Sequence, residues 1–88
     1  MTPTDLIVYT LIDREVQRAR EIHPAWPADV IHATAIVAEE AGESVRAALN
    51  HVYHGDEVAH IVTELTQTAA TCVRALQSLQ EYSGKDII

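Results

Sequence analysis

The chain has 88 residues, carries 13 acidic side chains against 6 Lys plus Arg, and has a formal net charge of −7. That length fits a single small domain spanning 1–88, which needs very regular packing, staples or a second copy of itself. The charge balance argues against a nucleic-acid groove, where phosphate contacts need clustered Lys and Arg.

The staples are absent, because the one cysteine, Cys72, has no partner in the chain. A lone Cys inside a helical pattern reads as a small core hydrophobe in a reducing, cytoplasmic setting. No apolar run approaches the roughly 18 residues needed to cross a bilayer. The start of the chain shows no basic segment followed by an apolar one, so neither a signal peptide nor a membrane anchor is expected.

The first helix opens at Thr2-Pro3-Thr4-Asp5. Thr2 can cap, Pro3 suits the first helical position, and Asp5 favours the positive helix end. Leu6, Ile7, Leu11 and Val16 carry it to about Ile22, after which His23-Pro24-Ala25-Trp26-Pro27 forms a connection, broken by its two prolines. A second helix is predicted from Pro27 or Ala28 to Tyr53. Its apolar series is Val30, Thr34, Val37, Ala38, Ala41, Val45, Ala48, Leu49 and Val52, in steps of three and four. Gly42 inside it costs about 1 kcal/mol relative to Ala and points to a backbone or ligand in close approach.

Gly55 reads as a helix C-terminal cap and Asp56 as the next N-cap. The third helix carries Val58, Ile61, Val62, Leu65, Ala69, Cys72, Leu76 and Leu79 and ends before Gly84, leaving 85–88 as a frayed tail. The short connection makes the second and third helices a long antiparallel hairpin. No strand pattern appears. The fold class is all-α, a three-helix chain assembling into a multi-helix bundle as a homo-oligomer.

Chemistry concentrates in two segments, Glu39-Glu40-Ala41-Gly42-Glu43 and Glu64-Leu65-Thr66-Gln67. With Ala41 and Leu65 as the middle of each apolar stripe, Glu40 and Glu64 fall at about −100° and Glu43 and Gln67 at about −160°. The two pairs therefore occupy equivalent flanks. Counted from Gly55, their midpoints differ in height by about 4.5 Å, so closing the hairpin gathers four oxygen-bearing side chains. Three carboxylates that close repel one another unless protons or a cation intervene. Hard oxygen ligands without paired Cys or His suit Mg²⁺ or Mn²⁺, which accept phosphate oxygens as further ligands. Glu39 is a spare acid placed to orient or deprotonate a water. A single Glu pair at i and i+3 is most often a solvated face; two pairs at matching angle and height are not.

This arrangement resembles the MazG-like all-α nucleoside triphosphate pyrophosphohydrolases, whose pattern is two adjacent Glu, two residues, a third Glu, then Glu-x-x-Asp on the following helix. Glu39, Glu40 and Glu43 match the first half, and Glu64 with Gln67 matches the second except that Gln67 stands in place of Asp. The resemblance covers about Asp29 to Leu79. It implies hydrolysis of a nucleoside triphosphate to a monophosphate and pyrophosphate, with Mg²⁺ held by Glu40, Glu43 and Glu64, support from Glu39, and a homodimer or homotetramer. Gln67 implies a divergent, phage-type small member in which the metal binds more weakly. Against this stands a non-catalytic helical oligomerisation module, or a nucleotide- or metal-sensing one, that retains a degenerate acidic site.

Other residues are less specific. Arg74 lies two turns beyond Gln67 and is placed to meet a phosphate, although a surface arginine is the commoner case. Trp26 is placed to stack on a nucleobase or, more commonly, to close the end of a small core. Arg46 is expected to pair with Glu43. His51, His54 and His60 read as exposed turn histidines rather than a metal clip.

Overall fold

The structure is a computed structural model that describes residues 1–84; the expected fraying of 85–88 lies outside them. Three helices follow in chain order, α1 (Pro3–Ile22), α2 (Val30–His54) and α3 (Val58–Ser83), and the described residues contain no strand. No helix among them is long and apolar enough to cross a membrane.

Capping chemistry sets the boundaries. Thr2 and Asp5 form a reciprocal capping box, with the Asp5 N–H donating to Thr2 Oγ1 at 3.1 Å and the Thr2 N–H to Asp5 Oδ2 at 2.9 Å. The second helix begins later than Pro27 or Ala28, because Asp29 stays extended and its carboxylate accepts from the His32 N–H at 3.0 Å. At the hairpin, Gly55 ends α2 in the left-handed region at φ 69, where a side chain is strained. Asp56 is not the N-cap of α3. That position falls to Glu57, which makes no side-chain cap bond, while the Asp56 carboxylate takes the Glu57 N–H at 3.0 Å and the His60 ring at 2.8 Å. Asp56 lies one residue too early to reach the second or third N–H of the helix.

α3 is the central element. Both α1 and α2 pack on it, and no Cα of α1 comes within 8 Å of one of α2. The buried residues are small: Ala33, Ala47 and Ala70 with Val16 from α1, plus Ser44 and Arg74. Small side chains let helix backbones approach closely, but they bury little apolar area.

Here the structure departs from the sequence reading. The apolar series centred on Ala41 is not the inner face of α2: Val45, Leu49 and Val52 are 60%, 51% and 69% exposed. The inner face is Ala33, Ser44 and Ala47, the side assigned above to the flank. A hydrophobic period marks what is to be covered without saying by which chain. Gly42 also meets nothing, since a Cβ built there would have no neighbour within 4 Å.

Candidate metal centre

The acids are carried by a repeated local unit. On α2, Ser44 sits one turn after Glu40, and its hydroxyl donates to the Glu40 carbonyl at 3.2 Å. On α3, Thr68 sits one turn after Glu64, and its hydroxyl donates to the Glu64 carbonyl at 2.8 Å. The two hydroxyl oxygens also lie 2.9 Å apart across the hairpin, where one hydroxyl can donate to the other in place of its own helix carbonyl. This contact is an internal ruler. With Ser44 and Thr68 both set to zero, Glu40 and Glu64 fall at about −40° and Glu43 and Gln67 at about −100°. The pairing holds the helices in register, with Gln67 beside Glu40 and Glu43 beside Glu64 in the cavities that flank it.

The result is a cluster of Glu40, Glu43 and Glu64, each offering a carboxylate oxygen within 4.8 Å of the others. Glu40 and Glu64 are half-buried and Glu43 is exposed. Burial raises the Glu40 pKa, and the charges of Glu43, Glu64, Glu15 and Glu39 push it further in the same direction. Burial also raises Glu64, followed by the charge of Glu43, with His60 pulling the other way. One oxygen of each, Glu40 Oε2 and Glu64 Oε2, is buried without a hydrogen-bond partner. A buried acceptor with no donor is costly, and each of these two belongs to a residue of the three-carboxylate cluster. Hard oxygens with unspent lone pairs suit a small divalent cation, and these three residues could hold one.

The remaining sequence candidates take varied positions. Glu39 is exposed and stands outside the three-carboxylate group, although its charge reaches Glu40. Gln67 lines a cavity of about 300 Å³ together with Glu40, Trp26 and Arg74. Arg74 is buried rather than a surface arginine. It donates to the His23 carbonyl at 2.7 Å and lies over the Trp26 ring with its carbon 4.9 Å from the centroid. Burial and then the charge of Arg20 lower its pKa, and a guanidinium stays protonated regardless. Arg74 thus fastens the proline-rich connection onto α3. Trp26 Nε1 is buried without a partner.

Arg46 makes no ion pair with Glu43; the two line a separate cavity of about 280 Å³ with His60 and Glu64. The histidines organise the turn. His51 Nδ1 is 2.7 Å from the Asp56 carbonyl and His60 Nδ1 is 2.8 Å from the Asp56 carboxylate.

Sequence reasoning missed two things. Glu15, ion-paired to Arg18 at 2.8 Å, lines the cavity with Glu40 from α1; its position beside Val16, the buried residue of α1, was the available signal. It also missed the Ser44–Thr68 contact, legible as a hydroxyl four residues after each Glu. In comparisons with protein-family models, with curated proteins and with solved structures, nothing matches this chain.

Proposed function

We propose that the chain is a Mg²⁺- or Mn²⁺-dependent nucleoside triphosphate pyrophosphohydrolase, working as a homo-oligomer in a reducing, cytoplasmic compartment. The observation that supports it most is the trio of Glu40, Glu43 and Glu64 with two orphaned buried oxygens. The motif resemblance supplies the reaction.

Glu40, Glu43 and Glu64 would hold a divalent ion, which would supply positive charge to a phosphate oxygen and to the attacking water. The chain's own residues do the rest. Glu40, Glu43 and Glu64 bind the ion, and Gln67 adds a neutral carbonyl oxygen beside Glu40. Glu39 takes a proton as a water oxygen bonds to the α-phosphorus, and the α–β bridging bond breaks to release pyrophosphate. Arg74 offers its remaining N–H groups to phosphate oxygens, and Trp26 closes the cavity against the nucleoside.

The test is incubation with each ribo- and deoxynucleoside triphosphate plus Mg²⁺ or Mn²⁺, assaying pyrophosphate against orthophosphate. The proposal requires pyrophosphate release that Glu43→Gln abolishes; orthophosphate alone, or release that Glu43→Gln leaves intact, would sink it. The neutral Gln67 favours one second reading, a metal- or nucleotide-sensing module without turnover. Its mark is thermal stabilisation by Mn²⁺ with nucleotide and no product. No response to either leaves a helical oligomerisation module.

A further inference from the structure

With 13 acidic side chains against 6 basic ones, the chain has a carboxylate to spare for every arginine. Two arginines nevertheless pair with none. Arg20 stands in the last turn of α1 and Arg74 on α3, and among the described residues neither forms an ion pair. The proline-rich connection runs between these two helix segments. Together they line a cavity of about 650 Å³ that carries Arg20, Trp26, Arg74, Gln77, Ser78 and Tyr82.

This cavity is not the one beside Glu40. Trp26 and Arg74 form a wall common to both, but Arg20, Gln77, Ser78 and Tyr82 line this one alone. Ser78 lies about 21 Å beyond Glu64 along α3, at 1.5 Å per residue. One phosphate group cannot touch both Ser78 and the acidic cluster.

What converges on the cavity is a set of donors. The Arg74 guanidinium is buried, with the His23 carbonyl and the Trp26 ring as its neighbours rather than a carboxylate. Arg20 donates to Gln77 Oε1, which holds its guanidinium against α3. Burial and then the charge of Arg20 lower the Arg74 pKa, as befits two cations drawn together. Ser78 and Tyr82 add hydroxyls to the lining, and the buried Trp26 Nε1 is a donor without a partner. A buried guanidinium without a counter-ion is costly, and a second cation beside it raises that cost. An anion in the cavity relieves both.

We infer that this cavity binds the phosphate group of a small ligand, clamped between the Arg20 and Arg74 guanidiniums. Phosphate suits the donors better than carboxylate does. A phosphate monoester carries a charge of about −1.5 to −2 near neutral pH and three strong acceptor oxygens, enough for two guanidinium forks and a hydroxyl. A carboxylate offers only two oxygens. Trp26 and Tyr82 supply aromatic surface to whatever the phosphate is attached to. Glu81, exposed, is the one acidic residue in the lining, and its charge tempers the affinity. The site needs no metal and does not depend on the hydrolysis proposed above.

Trp26 is the only tryptophan, so its emission reports on the cavity wall. The full chain, at fixed ionic strength and with EDTA to remove metal, is titrated with inorganic phosphate or with adenosine monophosphate. A saturable change is expected, with a Kd on the order of a millimolar or below. Arg20→Gln, at an exposed position, should weaken binding by about tenfold or more, since a charge-assisted bond is lost. Arg46→Gln removes the same charge from the cavity beside Glu43 and should leave the affinity unchanged. Tighter binding of the nucleotide assigns the cavity to an organic phosphate, and equal or weaker binding assigns it to the free ion; both support the inference. If Arg20→Gln fails to fold, Glu81→Gln takes its place and should tighten binding by about twofold or more. The inference is overturned by the absence of a saturable change with either probe, by binding that Arg20→Gln leaves intact, or by an equal loss in Arg46→Gln. A Glu81→Gln chain that binds no tighter than wild type overturns it as well.

Discussion

Replacing Glu43 by Gln should stabilise the metal-free chain and destabilise the metal-bound one. Glu43 is the charge common to the raised pKa values of Glu40 and Glu64. Carboxylate oxygens of the three residues lie within 4.8 Å of one another. At that distance two unit charges repel by about 1 kcal/mol at the dielectric of water and about 3.5 kcal/mol at an effective dielectric of 20. Glu43 is exposed, so the lower part of that range applies, and removing it should stabilise by about 1–2 kcal/mol. A domain of this size gains about 4–8 °C in Tm per kcal/mol.

Saturating Mn²⁺ should reverse the order. The wild-type chain gains about 2.7 kcal/mol at a hundred times its Kd, while the variant, short of one ligand, gains much less. Thermal unfolding followed by circular dichroism, with and without Mn²⁺, measures both halves. A variant that melts below wild type without metal, or curves that keep their order with it, refutes the account of a repulsive cluster awaiting a cation.

The pH dependence has a definite sign. Glu40 and Glu64 have raised pKa values in the folded chain, so the fold binds their protons more tightly than the unfolded chain does. Metal-free stability should therefore fall as pH rises from the ordinary glutamate range through the raised values. The His60–Asp56 pair adds to this trend, because His60 is raised by its bond to Asp56 and loses that stabilisation as pH rises further; a Tm that climbs from pH 4.5 to neutrality without metal contradicts it. In a double-mutant cycle, Ser44→Ala and Thr68→Val should show a coupling of about 1 kcal/mol in urea unfolding, and strict additivity would deny the register role. Arg74→Leu should cost about 2 kcal/mol and shift Trp26 emission to the red, because it removes both the bond to the His23 carbonyl and the cation over the ring. Asp29→Ala should cost about 1 kcal/mol through the lost α2 cap.

The helices and their turns were legible because caps and breakers act locally. Thr2, Asp5, Pro24 and Gly55 each act within a few residues of themselves, and the structure places the helix ends close to where they point. The errors at Asp29 and Asp56 are of one to three residues, the scale on which a carboxylate selects among neighbouring N–H groups. The inner face was not legible in the same way. The series through Ala41 and Val45 is a true apolar period, but within one chain α2 turns Ala33, Ser44 and Ala47 towards α3. The gathering of Glu40, Glu43 and Glu64 survived that error because it depends on angle differences between residues, which do not change when the zero is moved. Glu15 was hidden because α1 reaches the site through tertiary packing on α3, and no period within the hairpin reports that.

Binding of Mn²⁺ followed by electron paramagnetic resonance tests the central claim most directly, since only the free ion gives the sharp aqueous signal. Titrated with the wild-type chain, that signal should disappear with saturable, equimolar stoichiometry. It should persist with Glu40→Gln, Glu43→Gln or Glu64→Gln, and saturation should come at lower concentration with Gln67→Asp. A free-ion signal that the wild-type chain leaves undiminished, or one that the three substitutions deplete equally well, contradicts a cation site at this hairpin.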